Sequence, residues 1–356
     1  MNLWEKNIRK VTPYTPGEQP NQPDMIKLNT NENPYPPAPG VSRALKDMAA
    51  DSLRLYPDPA ARELNRALAE YYCLDEREVF TGIGSDDVLA MCFLTFFNSP
   101  DPILFPDITY SFYDVWAELF RIPYECPLLD ERFQIRKEDY FRKNGGIVLA
   151  NPNAPTGVEL PSRELEEIVQ ANPEVIVIVD EAYVDFGAAS MLPLIHTYDN
   201  LVVVQTFSKS RSLAGMRIGA AFANAKLIRY LNDVKYSFNS YTMNRAAIAA
   251  GTASIADRPY FEKICRQIME TREWAKQELK ELGFTFEDSR TNFIFAAHET
   301  CPAGELFEAL REKHIYVRHF SMPRIENYLR ITIGTREEME ALFSFLKEYL
   351  DARSYH

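Results

Sequence analysis

Excess basic charge, metal-ligand clusters, a disulfide framework and long apolar runs are all missing from this 356-residue chain, and each absence removes a class of function. Lys and Arg number 39 against 51 Asp and Glu, a formal net charge of −12. That balance argues against non-specific nucleic-acid binding, and no basic run or nucleic-acid motif offsets it. It does not exclude a phosphorylated ligand, because a few local arginines decide that. The five cysteines, Cys73, Cys92, Cys126, Cys265 and Cys301, are scattered with no Cys-x-x-Cys spacing. They read as mostly buried thiols of a reducing compartment, not as a disulfide frame or a metal site. The five histidines form no ligand spacing with one another either, so no metal is expected. Met1-Asn-Leu-Trp-Glu-Lys lacks the apolar core of a signal peptide, and no stretch approaches membrane-spanning length. Internal repeats and low-complexity segments are also absent. A soluble cytoplasmic protein without nucleic-acid or membrane partners is the expectation.

With 46% hydrophobic residues the chain has ample material for more than one core, so two domains are expected. Eight of the 23 prolines precede Val41, which makes residues 1–40 an extended arm, since proline fixes φ and removes ladder donors. Residues 41–260 then read as a large domain. Two helices flank the Tyr56-Pro-Asp-Pro59 break, and short apolar strands (Ile103 to Phe105, Ile147 to Ala150, Val175 to Val179, Leu201 to Gln205, Ile218 to Ala223) alternate with amphipathic helices such as Ser162 to Gln170. That alternation predicts an α/β fold with a mostly parallel central sheet flanked by helices. A helix from about Tyr260 to Leu282 opens a smaller α/β domain over 261–356, with strand-like runs at Asn292 to Ala296, Ile315 to Val317 and Tyr328 to Ile333.

Val202-Val-Val-Gln-Thr206-Phe-Ser208-Lys209 delivers one lysine from a buried strand, and Arg217-Ile-Gly219 follows eight residues later. Such a strand holds its next residue at the carboxyl edge of the sheet, where ligands of open α/β sheets bind. Lys209 there has the layout of an amine that forms a Schiff base with a phosphorylated aldehyde. Desolvation and a neighbouring cation favour its unprotonated form, while Ser208 and Arg217 suit a phosphate dianion. A Ser-Lys turn on its own is ordinary. A second apolar strand, however, ends in Asp180-Glu181-Ala182-Tyr183, and a buried carboxylate at Asp180 needs a cation such as a protonated ring nitrogen. Tyr183 could reach a ring oxygen or the lysine nitrogen. Asn151-Pro-Asn153-Ala-Pro-Thr-Gly157 is a turn-forming loop whose Asn153 amide can donate to a bound ring. Gly82-Ile-Gly84-Ser85-Asp86-Asp87 precedes a helical run and suits a phosphate through unpaired N–H groups, although Ser and Asp there are also ordinary caps.

Taken in order, these motifs resemble the fold-type I, pyridoxal 5′-phosphate (PLP) dependent aminotransferases, and within them the histidinol-phosphate aminotransferases. The narrower likeness rests on Thr12-Pro-Tyr14-Thr-Pro-Gly17, Leu28-Asn-Thr-Asn-Glu-Asn33-Pro34, Tyr56-Pro-Asp-Pro59, Val179-Asp-Glu-Ala-Tyr-Val-Asp-Phe186 and Leu329-Arg330-Ile-Thr-Ile-Gly334, nearly the whole chain. The resemblance implies that Lys209, Asp180 and Tyr183 are catalytic. It places Ser85, Asp86, Thr206, Ser208 and Arg217 around the cofactor and the aromatic ring of Tyr110 on the pyridine. It also implies that Tyr56 reaches the phosphate in the partner's site of a homodimer, and that Tyr14, Asn33, Arg318 and Arg330 meet the substrates, a small amino donor and a 2-oxo acid. Arg330 would clamp a carboxylate, and Arg318 with Tyr14 a substrate phosphate. Histidinol phosphate with 2-oxoglutarate, by ping-pong kinetics, is the expected pair.

Two positions depart from the family pattern. Ala154 stands where many relatives have a second asparagine, leaving Asn153 as the nearest amide, and Ser210-Arg211-Ser212 replaces the usual small-aromatic-glycine filling. An aromatic or broad-specificity aminotransferase, or a PLP-dependent decarboxylase of an amino-acid phosphate, is the neighbouring alternative. A non-catalytic PLP-binding module fused to a transcription regulator is the distant one, and this chain has no DNA-binding domain ahead of Val41 to support it.

Overall fold

The computed structural model describes residues 2–354. Strand β1 (Ile26–Lys27) is followed by a large sheet of seven strands: β2 (Val79–Ile83), β3 (Ile103–Leu104), β4 (Tyr124–Glu125), β5 (Gly146–Ala150), β6 (Val177–Asp180), β7 (Leu201–Thr206) and β8 (Ile218–Phe222). Their spatial order is β2-β8-β7-β6-β5-β3-β4. All pairings are parallel except that β8 runs antiparallel to both β2 and β7. That single reversal matters for the site. The carboxyl ends of the parallel strands and the amino end of β8 share one edge, so Arg217, which precedes β8, returns to the edge that Lys209 leaves.

Side chains along each central strand alternate between two cores, as strand geometry requires. Ile147, Leu149, Leu201 and Val203 face one core, built with α2 (Arg62–Tyr72), α5 (Ser162–Ala171) and α7 (Arg245–Ala256) behind the sheet. Val148, Ala150, Val202 and Val204 face the other, formed with α3 (Gly84–Phe96), α4 (Tyr113–Phe120) and α6 (Ala225–Phe238). Both faces are covered, which is why these strands read as continuous apolar runs. The first helix, α1 (Pro39–Lys46), packs on α7.

A second sheet lies beyond the 24-residue helix α8 (Arg258–Glu281). It contains β9 (Phe284–Phe286), β10 (Phe293–His298), β12 (Arg318–His319) and β13 (Leu329–Thr332), all antiparallel, in the order β12-β13-β10-β9. With α9 (Ala303–Glu312) and α10 (Arg336–Ser354) it encloses a core of its own. Strand β11 (Ile315–Tyr316) pairs with β1, so the proline-rich arm is tied to this second unit, and Leu28 joins its core. Strands β1, β2, β4, β9 and β12 have no counterpart in the sequence reading. Each contains a polar residue (Lys27, Thr81, Glu125, Thr285 or Arg318), so none forms the continuous apolar run by which β3, β5 and β8 were read. Among the described residues no helix is long and apolar enough to cross a membrane.

Candidate active site

Three strand ends converge where the sheets meet. β6 ends on Asp180, β7 runs through Thr206 into Ser208 and Lys209, and Ile83 leads into the first turn of α3 at Gly84-Ser85-Asp86. Thr206, Ser208, Lys209, Arg217, Ser85, Asp86, Tyr110, Asp180 and Tyr183 all line one cavity, together with Thr30, Glu32, Ala154 and Ala182. The segment after Lys209 is folded back on itself: Leu213 N donates to the Phe207 carbonyl, and Phe207 N to that of Ile218. The turn drives Arg217 to φ 52°, an uncommon conformation for a residue with a side chain, and such strain collects at functional sites. Arg217 then donates to Asp86 Oδ2 at 3.0 Å and to Ser208 Oγ at 3.4 Å. At Gly219 a Cβ would come within 2.4 Å of the Gly84 carbonyl carbon and Ser85 N, so only glycine lets β8 pass this close to the helix start.

Lys209 Nζ donates to the Thr30 carbonyl at 3.0 Å and lies 5.9 Å from the centre of the Tyr183 ring. Burial, with the charge of Arg330 second, lowers the Lys209 ammonium to about 8. At neutral pH about a tenth of the amine is therefore unprotonated and nucleophilic, far more than for an exposed lysine. Burial likewise raises the Asp180 carboxyl to about 6, against the opposing hydrogen bond from Tyr113. Asp180 forms no ion pair among the described residues. Among the described residues its carboxylate accepts from the Tyr113 hydroxyl, 2.8 Å from Oδ2, and Ala182 N, 3.2 Å from Oδ1. A buried anion with no cation needs one supplied from outside the chain. Tyr110 is anchored by a 2.7 Å hydrogen bond to Asp86 Oδ1.

The cavity opens toward the arm into a second space lined by Tyr14, Asn31, Tyr183, Arg318, Phe320 and Arg330. Arg318 and Arg330 sit directly opposite each other on β12 and β13, a cross-strand pair of like charge. Such a pair is destabilising by itself. Neither arginine forms an ion pair among the described residues, and Arg330 Nε is buried without a hydrogen-bond partner, while its Nη2 donates to the Asn29 carbonyl at 3.0 Å. Burial and the neighbouring Arg318 hold Arg330 below the usual guanidinium range. Tyr14 stacks on Phe112 with ring centres 4.3 Å apart.

Three sequence expectations do not meet the cavity. Asn153 spends both amide hydrogens within the protein, on the Ile108 carbonyl of a neighbouring segment at 2.9 Å and on Thr156 Oγ1 of its own loop at 3.0 Å, and its Oδ1 accepts from Thr109. It has no hydrogen left for a bound ring and does not replace the amide lacking at Ala154. Asn33 donates to the backbone carbonyls of Lys209 and Ser210 at 3.0 and 3.2 Å, so it braces the lysine turn rather than a substrate. Asn31, two residues earlier, lines the substrate space and donates to the Tyr183 hydroxyl at 2.8 Å. Alternation could not have separated the two, because residues two apart in an extended segment share a face; the left-handed backbone at Asn31, φ 57°, is what turns them different ways. Tyr56 lies outside its own chain's cavity, exposed and stacked on Tyr241 with ring centres 4.5 Å apart. Arg211 is buried against Phe261 at 4.0 Å and Tyr71 at 5.0 Å, and has no part in the cavity lining.

Residues 23–346 match the family model described as aminotransferase class I and II. The chain belongs to that family. Full-length relatives agree: it is 53% identical over 348 residues, 98% of each chain, to a histidinol-phosphate aminotransferase of Lactococcus lactis subsp. cremoris strain MG1363, and 49% identical over 344 residues to one of Clostridium beijerinckii, covering 97% of this chain and 96% of that one. Among solved structures, the histidinol-phosphate aminotransferase of Sinorhizobium meliloti in complex with pyridoxal 5′-phosphate superposes with a TM-score of 0.82 at 23% identity, covering 91% of this chain and 90% of that one. That of Clostridium acetobutylicum gives 0.83 at 21% identity, covering 91% and 99%. These two establish the fold. Like other class I and II aminotransferases the chain is an enzyme and uses PLP. The cavity suits that group in its own terms: glycine-lined N–H groups, two serine hydroxyls and Arg217 at one end for a phosphate, the unpaired Asp180 carboxylate for a protonated pyridine, and Lys209 for the aldehyde.

Proposed function

We propose that this aminotransferase moves the amino group of histidinol phosphate to 2-oxoglutarate, giving imidazole acetol phosphate and glutamate, a step of histidine biosynthesis. The observation that carries the substrate assignment is the unpaired Arg318–Arg330 couple on facing strands. Two guanidinium groups side by side, one with a buried unpartnered Nε, call for an anion. Arg330 would clamp the carboxylate of glutamate or 2-oxoglutarate. Histidinol phosphate has no carboxylate, so its phosphate would fall to Arg318 with Tyr14. The relatives' names point the same way, and they do not favour an aromatic or broad-specificity aminotransferase or a decarboxylase.

When bound, PLP supplies an aldehyde that exchanges amino groups and a ring that withdraws electrons from the carbon losing its proton. The chain's residues do the rest. Ser85, Thr206, Ser208 and Arg217 would hold the phosphate, with the backbone N–H groups at the start of α3. Asp180 would keep the ring nitrogen protonated, and Tyr110 would cover the ring face. Lys209 Nζ, once displaced by the incoming amine, would carry the proton to and from the substrate α-carbon, aided by its lowered basicity. Tyr183, held by Asn31, lies beside that nitrogen.

The exposed aromatic and aliphatic side chains Leu53, Leu55, Tyr56, Phe238 and Tyr241 are suited to a second copy of the chain, which would bring Tyr56 to the partner's phosphate site. Separate cores for the two sheets support an arm at 1–40, a large domain at 41–260 and a small domain at 261–356. Five free thiols fit a reducing cytoplasm. The test is a half-reaction screen, in which purified holoprotein receives one amine at a time while loss of the aldehyde form is followed by absorbance. Histidinol phosphate and glutamate should both convert it. A preference for phenylalanine or tyrosine would sink the assignment.

A further inference from the structure

We propose that Tyr113, the first residue of α4, is a positioning residue that acts on the reaction through Asp180: its buried hydroxyl holds the carboxylate ionised and aimed at the cofactor's ring nitrogen. The inference rests on the reading of Asp180 given above and adds a residue outside the cavity lining.

Tyr113 is fully buried, with its ring 5.8 Å from Phe105, 5.7 Å from Tyr110 and 6.1 Å from Phe93. The shell around it is aromatic, and its hydroxyl makes one hydrogen bond, 2.8 Å to Asp180 Oδ2. Burial beside a carboxylate drives the phenol well above its ordinary range, so it is a neutral donor at every working pH. The Asp180 carboxylate receives one further hydrogen bond, from Ala182 N to the other oxygen, and among the described residues no arginine, lysine or histidine pairs with it. Desolvation favours the neutral acid, and the Tyr113 hydroxyl is the larger of the two hydrogen-bonding influences that oppose it. A hydrogen bond to a charged acceptor is worth more than one between neutral groups. Remove it, and the proton shared with a pyridine nitrogen shifts from the ring toward the acid. The geometry has a local cause. Asp180 points to the same face of the sheet as Ile178, the face packed against α4, so the first turn of that helix meets the carboxylate.

The test uses holoprotein reconstituted with PLP labelled with 15N in the ring, and reads the ring-nitrogen resonance by NMR together with the dissociation constant of PLP from the apoprotein. In the unchanged chain the nitrogen should resonate as a pyridinium. Tyr113→Phe, which removes one oxygen and keeps the ring, should move the resonance toward the unprotonated position and weaken PLP binding about tenfold. In an Asp180→Asn background the same substitution should change neither reading, because the residue through which it acts is gone. A Tyr113→Phe protein with unchanged resonance and affinity, beside an Asp180→Asn protein in which both move, overturns the proposal and leaves Asp180 as the ring's partner. An Asp180→Asn protein that still shows a pyridinium removes the reading of Asp180, and the proposal with it. Should the phenylalanine variant fail to fold, 3-fluorotyrosine at position 113 keeps the shape and strengthens the donor. Tighter binding then supports the proposal, and unchanged binding overturns it.

Discussion

Asp180 makes the apoprotein less stable than it need be, and the size of the effect follows from its burial. The carboxyl rises from 3.8 in the unfolded chain to about 6 in the fold, chiefly through desolvation. A raised folded-state value means the fold binds the proton more tightly than the unfolded chain does. The stability from this group is therefore complete below the unfolded value and is lost as pH climbs through the folded one. A shift of about two units corresponds to roughly 3 kcal/mol above about pH 7, of which about half is already lost by pH 5. Asp180→Asn removes the titration but leaves an amide facing two donors, Tyr113 Oη and Ala182 N. That misfit costs on the order of 1–3 kcal/mol at every pH. The informative quantity is thus the change with pH. Urea unfolding of the two apoproteins from pH 4 to 7.5 should show the variant gaining on the parent by about 2–3 kcal/mol across the interval. Glu181, raised by burial to about 7, is common to both and drops out of the difference. PLP should reverse the order, because a pyridinium stabilises the ionised carboxylate and gains less from an amide. A difference that stays flat across this pH range would refute a desolvated, unpaired Asp180.

Other consequences can be checked directly. Lys209→Ala should abolish transamination and any borohydride-trapped cofactor peptide, and a trapped peptide elsewhere in the chain would assign the amine to another residue. Arg330→Lys keeps the charge but loses the planar fork, and should reduce kcat/KM for glutamate and 2-oxoglutarate about ten- to hundredfold, measured by steady-state kinetics. Arg318→Gln should raise KM for histidinol phosphate about tenfold or more and change that for glutamate little. Equal effects on both substrates would mean that the two arginines do not divide the work.

The strands of the large sheet were legible because both faces are covered, so Ile147 to Ala150 and Leu201 to Val204 are apolar without interruption and each run leads into the site. The pairing of β8 was not legible. A five-residue apolar strand looks the same whether it runs parallel or antiparallel, and its direction is what brings Arg217 back beside Ser208. Single positions within motifs were the weak point. Asn31, Asn33 and Asn153 are the same residue type in the same kind of turn-rich segment, and which of them has a free amide depends on hydrogen bonds to Lys209, Ser210 and Ile108 made across the fold, with Thr156 added within the loop. Tyr113 went unnoticed for a related reason: a tyrosine at the start of an aromatic helix reads as core, and only the 2.8 Å approach to Asp180 marks its hydroxyl.

Many charges outside the cavity are neutralised close by: Lys137 finds Glu167, Arg324 finds Asp107, and the buried Lys276 has two carboxylates. The cavity departs from that rule. Among the described residues Asp180 has no cation, Arg318 and Arg330 face each other without an anion, and Lys209 is held by a carbonyl in surroundings that favour its neutral form. Each imbalance is costly in a fold standing alone, since a desolvated unpaired charge is among the least favourable things a protein can keep. They also differ in sign along the cavity, with an anion under the sheet edge, an amine at the centre and two cations toward the arm. A ligand that satisfies them must carry a basic ring nitrogen at one end, an electrophilic carbon in the middle and, on its partner, an acidic group beyond. PLP with a carboxylate- or phosphate-bearing substrate has that sequence of groups. The charge pattern alone would therefore have narrowed the reaction to amine chemistry on such a pair.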